Sequence, residues 1–413
     1  MHLVLFEDHR WGDLAPLSLT RPTFALLSGG SALAQKIIRN IKPSSVSFWV
    51  RPEMEVLCGS LAKSWGIAAE KLSINRSLGD APALLVAANT LLLAPFHQPD
   101  ESAVDLDDDQ NIRAAYVRSP GLSFADAIDR TERWKTLSSL RRMPPQGRIA
   151  RYLWDLLAWN EASLADDFTH HASQTSVLPT GPWHLMHPEN ISIDASATLS
   201  PGVVLDAGKG AIVVAAGASV GANSVVQGPA FIGQNSHVQP LSLVRPGVSI
   251  GPGCKVAGEI SASIIQGNTN KAHHGYLGDS YVGEWVNLAA GTSTSNLKTT
   301  YGQISMNFGS RKIDTGRQFL GSLIGDHTKT AIDTRLMTGT YIGPWSMIAS
   351  SALTPTHIPS FSFLTDRGIE PYKIEKAMEV LKQVYSRRNR KVSVEDEAMM
   401  RYVMSKSEQN PTV

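Results

Sequence analysis

Apolar residues recur at every sixth position in this chain, at Val220, Val226, Ile232, Val238, Val244, Ile250 and Val256, after an earlier run of Ile193, Leu199 and Leu205. A period of six matches neither the 3.6 of a helix nor the alternation of a strand. It matches a coil of three short flat strands, each sending one aliphatic side chain inward and turning the corner with a permissive residue. The corners show as Val220-Gly221, Ile232-Gly233, Ile250-Gly251, Val282-Gly283, Ile324-Gly325 and Ile342-Gly343. Of the 33 glycines, 23 fall between 201 and 350, and only 10 of the 38 basic residues do. Residues 191–358 are therefore expected to form a left-handed parallel β-helix; a sandwich would show longer strands with two-residue alternation. The period lapses near 259–275 and 294–323, where loops are expected to leave the coils.

Residues 1–178 follow a different pattern. Apolar runs at 3–6, 46–50 and 83–93 read as strands, and 31–41 and 149–168 as helices. That alternation predicts an α/β, Rossmann-like domain. The stretch around 169–187, rich in proline toward its end, reads as a linker, with 179–190 as the join between domains. Beyond 359 a short helical tail is expected through 413. Its first helix is amphipathic through Ile374, Met378, Leu381 and Tyr385. Its second begins at Ser393, whose spacing to Asp396 resembles a capping box. Arg387, Arg388, Arg390 and Lys391 form the one dense basic run, either a solvated surface or a clamp for phosphates.

Composition excludes several classes. The 413 residues are 42% hydrophobic and 18% charged, which is a folded chain. Thirty-eight basic against 37 acidic residues give a net charge of +1, so the broad electrostatic footprint of a nucleic-acid binder is missing. Cys58 and Cys254 are the only cysteines, which fits a reducing, cytoplasmic setting. The start MHLVLFED lacks the marks of a secretory signal. The most apolar stretch, 81–96, is too short to span a bilayer, which takes about 20 residues.

The densest polar constellation is NKAHHGYLGD, 270–279, followed by GEWVNLAAGTSTSNLK, 283–298. Stacked coils bring residues about 18 apart above one another, so His273 falls near Ala290. An imidazole with a pKa near 6.5 suits removal of a proton from an amine or hydroxyl. Arg245, Lys271, Tyr276 and Asn287 supply donors for a sugar phosphate, the guanidinium being best suited to it. Backbone N–H groups beside Ala290 and Gly291 are placed to polarise a thioester carbonyl. The chemistry these groups favour is acyl transfer.

Residues 190–355 resemble the acetyltransferase domain of bifunctional GlmU enzymes. The whole chain is similar to a GlmU-like branch in which a short nucleotidyltransferase-like domain precedes the β-helix. The likeness runs through LSLTRP (17–22), YLWDLLAWN (152–160), NKAHHGYLGDSYVGEWVNL (270–288), SNLK (295–298), TGRQFLGSLIGDHTKTAIDT (315–334) and IPSF (358–361). The resemblance implies His273 as general base, and Arg245, Tyr276 and Asn287 at a sugar-phosphate site. It implies Ala290, Asn296 and Ser350 as acetyl-CoA contacts, Thr20 and Arg21 as nucleotide contacts, and a homotrimer with acetyl-CoA between neighbouring β-helices. The substrates it implies are acetyl-CoA and an amino-sugar phosphate such as glucosamine 1-phosphate, with UTP and Mg²⁺ if the front domain is active.

The departures are specific. The lysine expected after the Arg-Pro-Gly arginine falls at Ser263, leaving Lys271 as its substitute. In the front domain Ala15-Pro16-Leu17 replaces the glycines of a phosphate loop, and the expected lysine falls near Ser28. Ala87-Ala88-Asn89 occupies the place of a metal-binding aspartate, with Asp8, Asp13 and Asp80 as stand-ins. Two other readings compete. A zinc hydratase of the γ-carbonic-anhydrase type needs three converging histidines. His237, His273, His274 and His327 are available, without the H-x₄-H spacing, so no metal ligands are assigned. A non-catalytic sugar-nucleotide-binding or assembly protein is the third reading.

Overall fold

The computed structural model describes residues 1–172 and 180–409, so part of the expected linker and the end of the tail lie outside the described residues. Contacts divide the chain into two compact units. The first comprises residues 1–14, 20–26 and 31–152; the second comprises 15–19, 27–30 and 153–413.

In the first unit a seven-stranded sheet runs in the order 141–142, 103–106, 112–117, 83–87, 2–6, 45–49 and 72–74. The strand His2–Phe6 is parallel to both neighbours, Ser45–Trp49 and Ala83–Ala87. The far edge turns antiparallel at Ile112–Val117. Parallel neighbours need crossovers, which the helices Leu33–Ile41 and Glu55–Ser64 provide. Leu3, Val4 and Leu5 are each fully buried, as a strand covered on both faces requires. The Rossmann-like reading of the front region is borne out.

The second unit is the three-sided parallel β-helix that the six-residue period predicts. One face has six strands from His184–Met186 to Tyr276–Gly278, and a second has nine from Ile191–Ile193 to His357–Ile358. A third has five from Thr198–Leu199 to Asn270–Lys271 and resumes with four from Lys329–Thr330. Val220, Val238 and Val256 stack inward on the third face. Val226 and Val244 do so on the first, and Ile232 and Ile250 on the second. All seven are at most 2% exposed. The coil length is 18 residues where the period is regular, as in Ser219 over His237 over Lys255, and drops to 15 between Lys255 and Asn270. The next bridges are Asn270 to Asn287 and Asn287 to Lys329, so a long excursion leaves the coil where the period lapses. Within it, Ser305–Phe308 and Arg311–Asp314 form an antiparallel hairpin.

Two further helices belong to this unit. The apolar stripe expected across 149–168 is two helices, Leu153–Ala158 and Asn160–Ala172. The second packs Leu164 against Val213 and Phe231 of the β-helix. Asn160, 1% exposed, donates to the Gly247 carbonyl at 2.9 Å and accepts from Ser249 Oγ at 3.0 Å and Gly29 N at 2.7 Å. A buried amide with this many partners fixes the helix register on the coils. The tail helices run Ile374–Ser386 and Val394–Gln409. The capping box holds: Asp396 N donates to Ser393 Oγ at 3.2 Å and Ser393 N to Asp396 Oδ2 at 2.9 Å.

The inward row carries the stability of the β-helix. Ile250→Ala, at a fully buried position, is expected to cost about 2–5 kcal/mol in urea unfolding. Ile332→Ala, at a position 71% exposed, is expected to stay within about 0.5 kcal/mol of the parent.

Candidate active site

The first face carries the main polar cluster. Strand pairing sets Glu259 beside Tyr276 and Leu243 beside Glu259, so consecutive coils present their outward side chains in one row. Arg245 Nη1 meets Glu259 Oε1 at 2.9 Å, and the pair is about half exposed. Asn296, two residues past the short strand Ser293–Thr294, donates through Nδ2 to Tyr276 Oη at 3.1 Å and to Asp279 Oδ2 at 2.7 Å. Burial raises the Asp279 carboxyl above its ordinary value, opposed by the Asn296 hydrogen bond and the Arg317 charge. Burial also raises the Tyr276 hydroxyl, helped by the charges of Asp279 and Glu259 and opposed by Arg245. Asp279 has φ +45°, a left-handed conformation in which aspartate is among the few tolerated side chains. Arg245, Tyr276 and Asn296 are thus brought together. Asp279, Glu259 and Arg317 join them without having been singled out in the sequence, although the Tyr-Leu-Gly-Asp motif already contained Asp279.

His273 and His274 follow on the same coil, between the strands Asn270–Lys271 and Tyr276–Gly278, and both rings are exposed. The expected approach to the next coil is real at the backbone: Gly291 N donates to the His274 carbonyl at 3.1 Å. This corrects one expectation. The Gly291 N–H is engaged within the coil stack and does not face outward to polarise a thioester. Gly291 itself is required, since its φ is +75° and a Cβ there would lie 1.8 Å from Asp333 Oδ1.

Lys271 is the larger correction. Register places it beside Val256, in the inward row that holds Val220, Val238 and Val256 on the preceding coils. It is 1% exposed, and its ammonium donates to the carbonyls of Ala257 at 2.9 Å and His273 at 3.0 Å. Burial lowers its pKa to about 8. A substrate phosphate outside the prism does not reach this nitrogen. Instead, Lys271 ties down the backbone of the residue expected to act as base.

The remaining expected residues are dispersed. Asn287 lies on the third face, bridged to Asn270 and Lys329, away from the row of Glu259 and Tyr276. Ala290 is half-buried and its carbonyl accepts from Asp333 N at 2.7 Å. Ser350, 7% exposed, donates to Asp366 Oδ1 at 2.8 Å. In the first unit Thr20 and Arg21 are 7% and 6% exposed. The carboxylates proposed as stand-ins for a metal site are engaged or isolated. Asp8 Oδ2 accepts from Arg10 Nε at 2.9 Å, while Asp80 is exposed. Among the described residues no three or more His, Cys, Asp or Glu side chains gather as a metal site. Nor is any helix among them long and apolar enough to cross a membrane.

Residues 3–175 match the family described as sugar nucleotidyl transferase. The chain is also similar to bifunctional GlmU proteins. It is 33% identical to that of Methanocaldococcus jannaschii over 45% of this chain and 46% of the relative. To that of Methanococcus vannielii it is 33% identical over 33% and 31%. A bifunctional sugar-1-phosphate nucleotidylyltransferase/acetyltransferase of Sulfurisphaera tokodaii is 31% identical over 29% of each chain. Each match therefore spans less than half of the relative's length. The GlmU-like resemblance read from the motifs is borne out. Among solved structures, a Francisella novicida UDP-N-acetylglucosamine acyltransferase covers 53% of this chain and 87% of its own at 12% identity. Its TM-score is 0.24, too slight a likeness to bear on function.

Two measurements check the electrostatics. Lys271→Met removes hydrogen bonds to one buried and one part-buried carbonyl and is expected to cost about 1–3 kcal/mol. Native Lys271 loses its proton near pH 8, whereas the unfolded chain keeps it to about pH 10.5. The unfolded state therefore holds more protons between those values, so parent stability should rise relative to Lys271→Met as pH climbs through that window, by urea unfolding at each pH. Asn296→Leu removes a hydrogen bond that favours the ionised carboxylate, so the Asp279 titration followed by carbon NMR should move further up.

Proposed function

We propose that this chain is an acetyl-CoA-dependent N-acetyltransferase acting on an amino-sugar phosphate of the glucosamine 1-phosphate type. The observation that carries the reading is the outward cluster of Arg245, Tyr276, Asp279 and Asn296 on coils continuous with the exposed His273. Arg245 offers a guanidinium for the phosphate, with Glu259 holding its orientation until an anion competes. Tyr276 and Asn296 offer a hydroxyl and an amide for sugar hydroxyls.

In the step proposed, the His273 imidazole takes a proton from the sugar amine as its nitrogen attacks the thioester carbonyl. A C–N bond forms, the C–S bond breaks, and coenzyme A leaves as the thiol after receiving that proton. Lys271 positions His273 by holding its carbonyl. Assembly as a trimer, with the thioester between neighbouring β-helices, is part of the same proposal. So are Asn287, Ala290 and Ser350 as contacts contributed at that seam.

Nucleotidyl transfer from UTP is the second reading, favoured by the family match over residues 3–175. Thr20 and Arg21 are its contacts in the first unit. Mg²⁺ enters that reading with UTP, as the metal that would bridge its phosphates.

The deciding experiment supplies acetyl-CoA, UTP and Mg²⁺ with a panel of hexosamine phosphates and identifies products by mass. An N-acetylated sugar phosphate is expected. His273→Ala should lower its rate by about 10²-fold or more, the contribution of a positioned general base. Coenzyme A release unchanged in His273→Ala would refute the assignment. Arg245→Ala should raise KM for the sugar phosphate more than it lowers kcat.

A further inference from the structure

The third face of the β-helix carries a second row of outward polar side chains. Strand register stacks Ser219, His237, Lys255 and Asn270, and the bridges continue through Asn287 to Lys329. Neighbouring coils of a parallel stack lie about 4.8 Å apart, so this row is a continuous ladder. The tail helix Ile374–Ser386 lies across it. Arg388, just past the helix end, fastens the crossing: Nη1 donates to the Gly253 carbonyl at 2.9 Å and Nη2 to Asn270 Oδ1 at 3.1 Å.

Between ladder and helix is a cavity of about 420 Å³. That volume is within the range of small-molecule sites, about 300–1,000 Å³. Its polar wall holds Lys255, Lys329, Arg387 and Arg388, with amides from Asn268 and Asn287. Its apolar wall holds Val286, Val380 and Val384 beside Trp285. Among the described residues no carboxylate lines it. None of the ion pairs among the described residues involves these four cations. Four like charges around one cavity repel one another unless an anion is present. Paired guanidinium and ammonium groups are what phosphate oxygens select, while the valine wall accommodates a ring or other uncharged body. The basic run noted in the sequence is thus divided. Arg387 and Arg388 face the cavity, whereas Arg390 pairs with Asp396 at 3.0 Å.

We propose that this cavity between the C-terminal helix and the third face binds a nucleoside diphosphate group, its phosphates on Lys255, Lys329, Arg387 and Arg388 and its base against Val380 and Val384. Free nucleotides and the adenosine diphosphate portion of coenzyme A share that chemistry. The proposal does not rest on the acetyltransferase reading. Asn287 is the one residue common to both, so the test leaves it unchanged. Lys329 supports the proposal independently: burial lowers its pKa to about 8, a deficit that a bound anion relieves.

The test uses the full chain and 8-azido-ADP as photolabel, with labelled peptides mapped by mass. Label is expected on peptides containing Lys255 or the helix Ile374–Ser386. ADP, UDP and coenzyme A are separate competitors that identify the source of the group, and protection by at least one is expected. Adenosine and inorganic pyrophosphate should each compete at least tenfold less well than the best of these. A Lys255→Glu, Arg387→Glu double variant alters two exposed side chains and should weaken labelling of these peptides at least tenfold with an unchanged unfolding midpoint. Val384→Trp, which fills the cavity without changing charge, should do the same. Label confined to residues 1–152, labelling of these peptides indifferent to both variants, or adenosine or pyrophosphate competing as well as the best nucleotide would each overturn the proposal. A loss of acetyl transfer in His273→Ala has no bearing on it, so the two readings fail separately.

Discussion

One side chain in six must point into the prism, and its neighbours on the coils above and below must do the same. That packing constraint organises the second unit. An inward row made mainly of Val and Ile gives the coils their burial. Parallel register then forces the flanking residues outward in rows of their own. Arg245, Glu259 and Tyr276 meet because they flank inward positions on consecutive coils of the first face, and Asn296 reaches them from two residues past the strand Ser293–Thr294. Lys255, Asn287 and Lys329 meet on the third face for the same reason. Neither cluster needs a dedicated loop to assemble it, since the core sets the direction of each side chain.

Much of this was legible in the chain. The hexad fixed phase and face wherever it ran unbroken, and the His-His-Gly-Tyr-Leu-Gly-Asp segment stood out because its polar residues interrupt an otherwise apolar pattern. What stayed hidden lay where the phase slips. Lys271 is expected to stand in for the lysine missing at Ser263, yet the 15-residue coil carries it into the inward row beside Val256. Counting back from the Val256 partner would have shown this only with the short coil known. Asn287 is set beside Tyr276 by the resemblance, and sequence spacing does not reveal that its bridges to Asn270 and Lys329 put it on another face of the same chain. Gly291 read as an outward donor because sequence does not reveal which carbonyl already accepts its proton.

Charge shows the same limit. A net charge of +1 conceals a strongly local distribution. Opposite charges are matched around the first-face cluster, where Arg245 pairs with Glu259 and the charge of Arg317 acts on Asp279. The third-face cavity gathers cations alone, from residues more than a hundred positions apart. The basic run in the tail was visible as a run. Its partners were not, because they are contributed one per coil.

The coil holding Asn287 and the coil holding Lys329 stack directly although 42 positions separate them in number. The excursion between them closes on its own hairpin and rejoins in register, with Ser293 paired to Arg335. Lengthening such a detour raises its closure entropy only slowly, about 0.6 kcal/mol for each doubling. Its exposed tip at Gly309 and Ser310 is therefore a port in the scaffold. A tag, an epitope or a tethering sequence grafted there leaves the stacking order of the prism as it was.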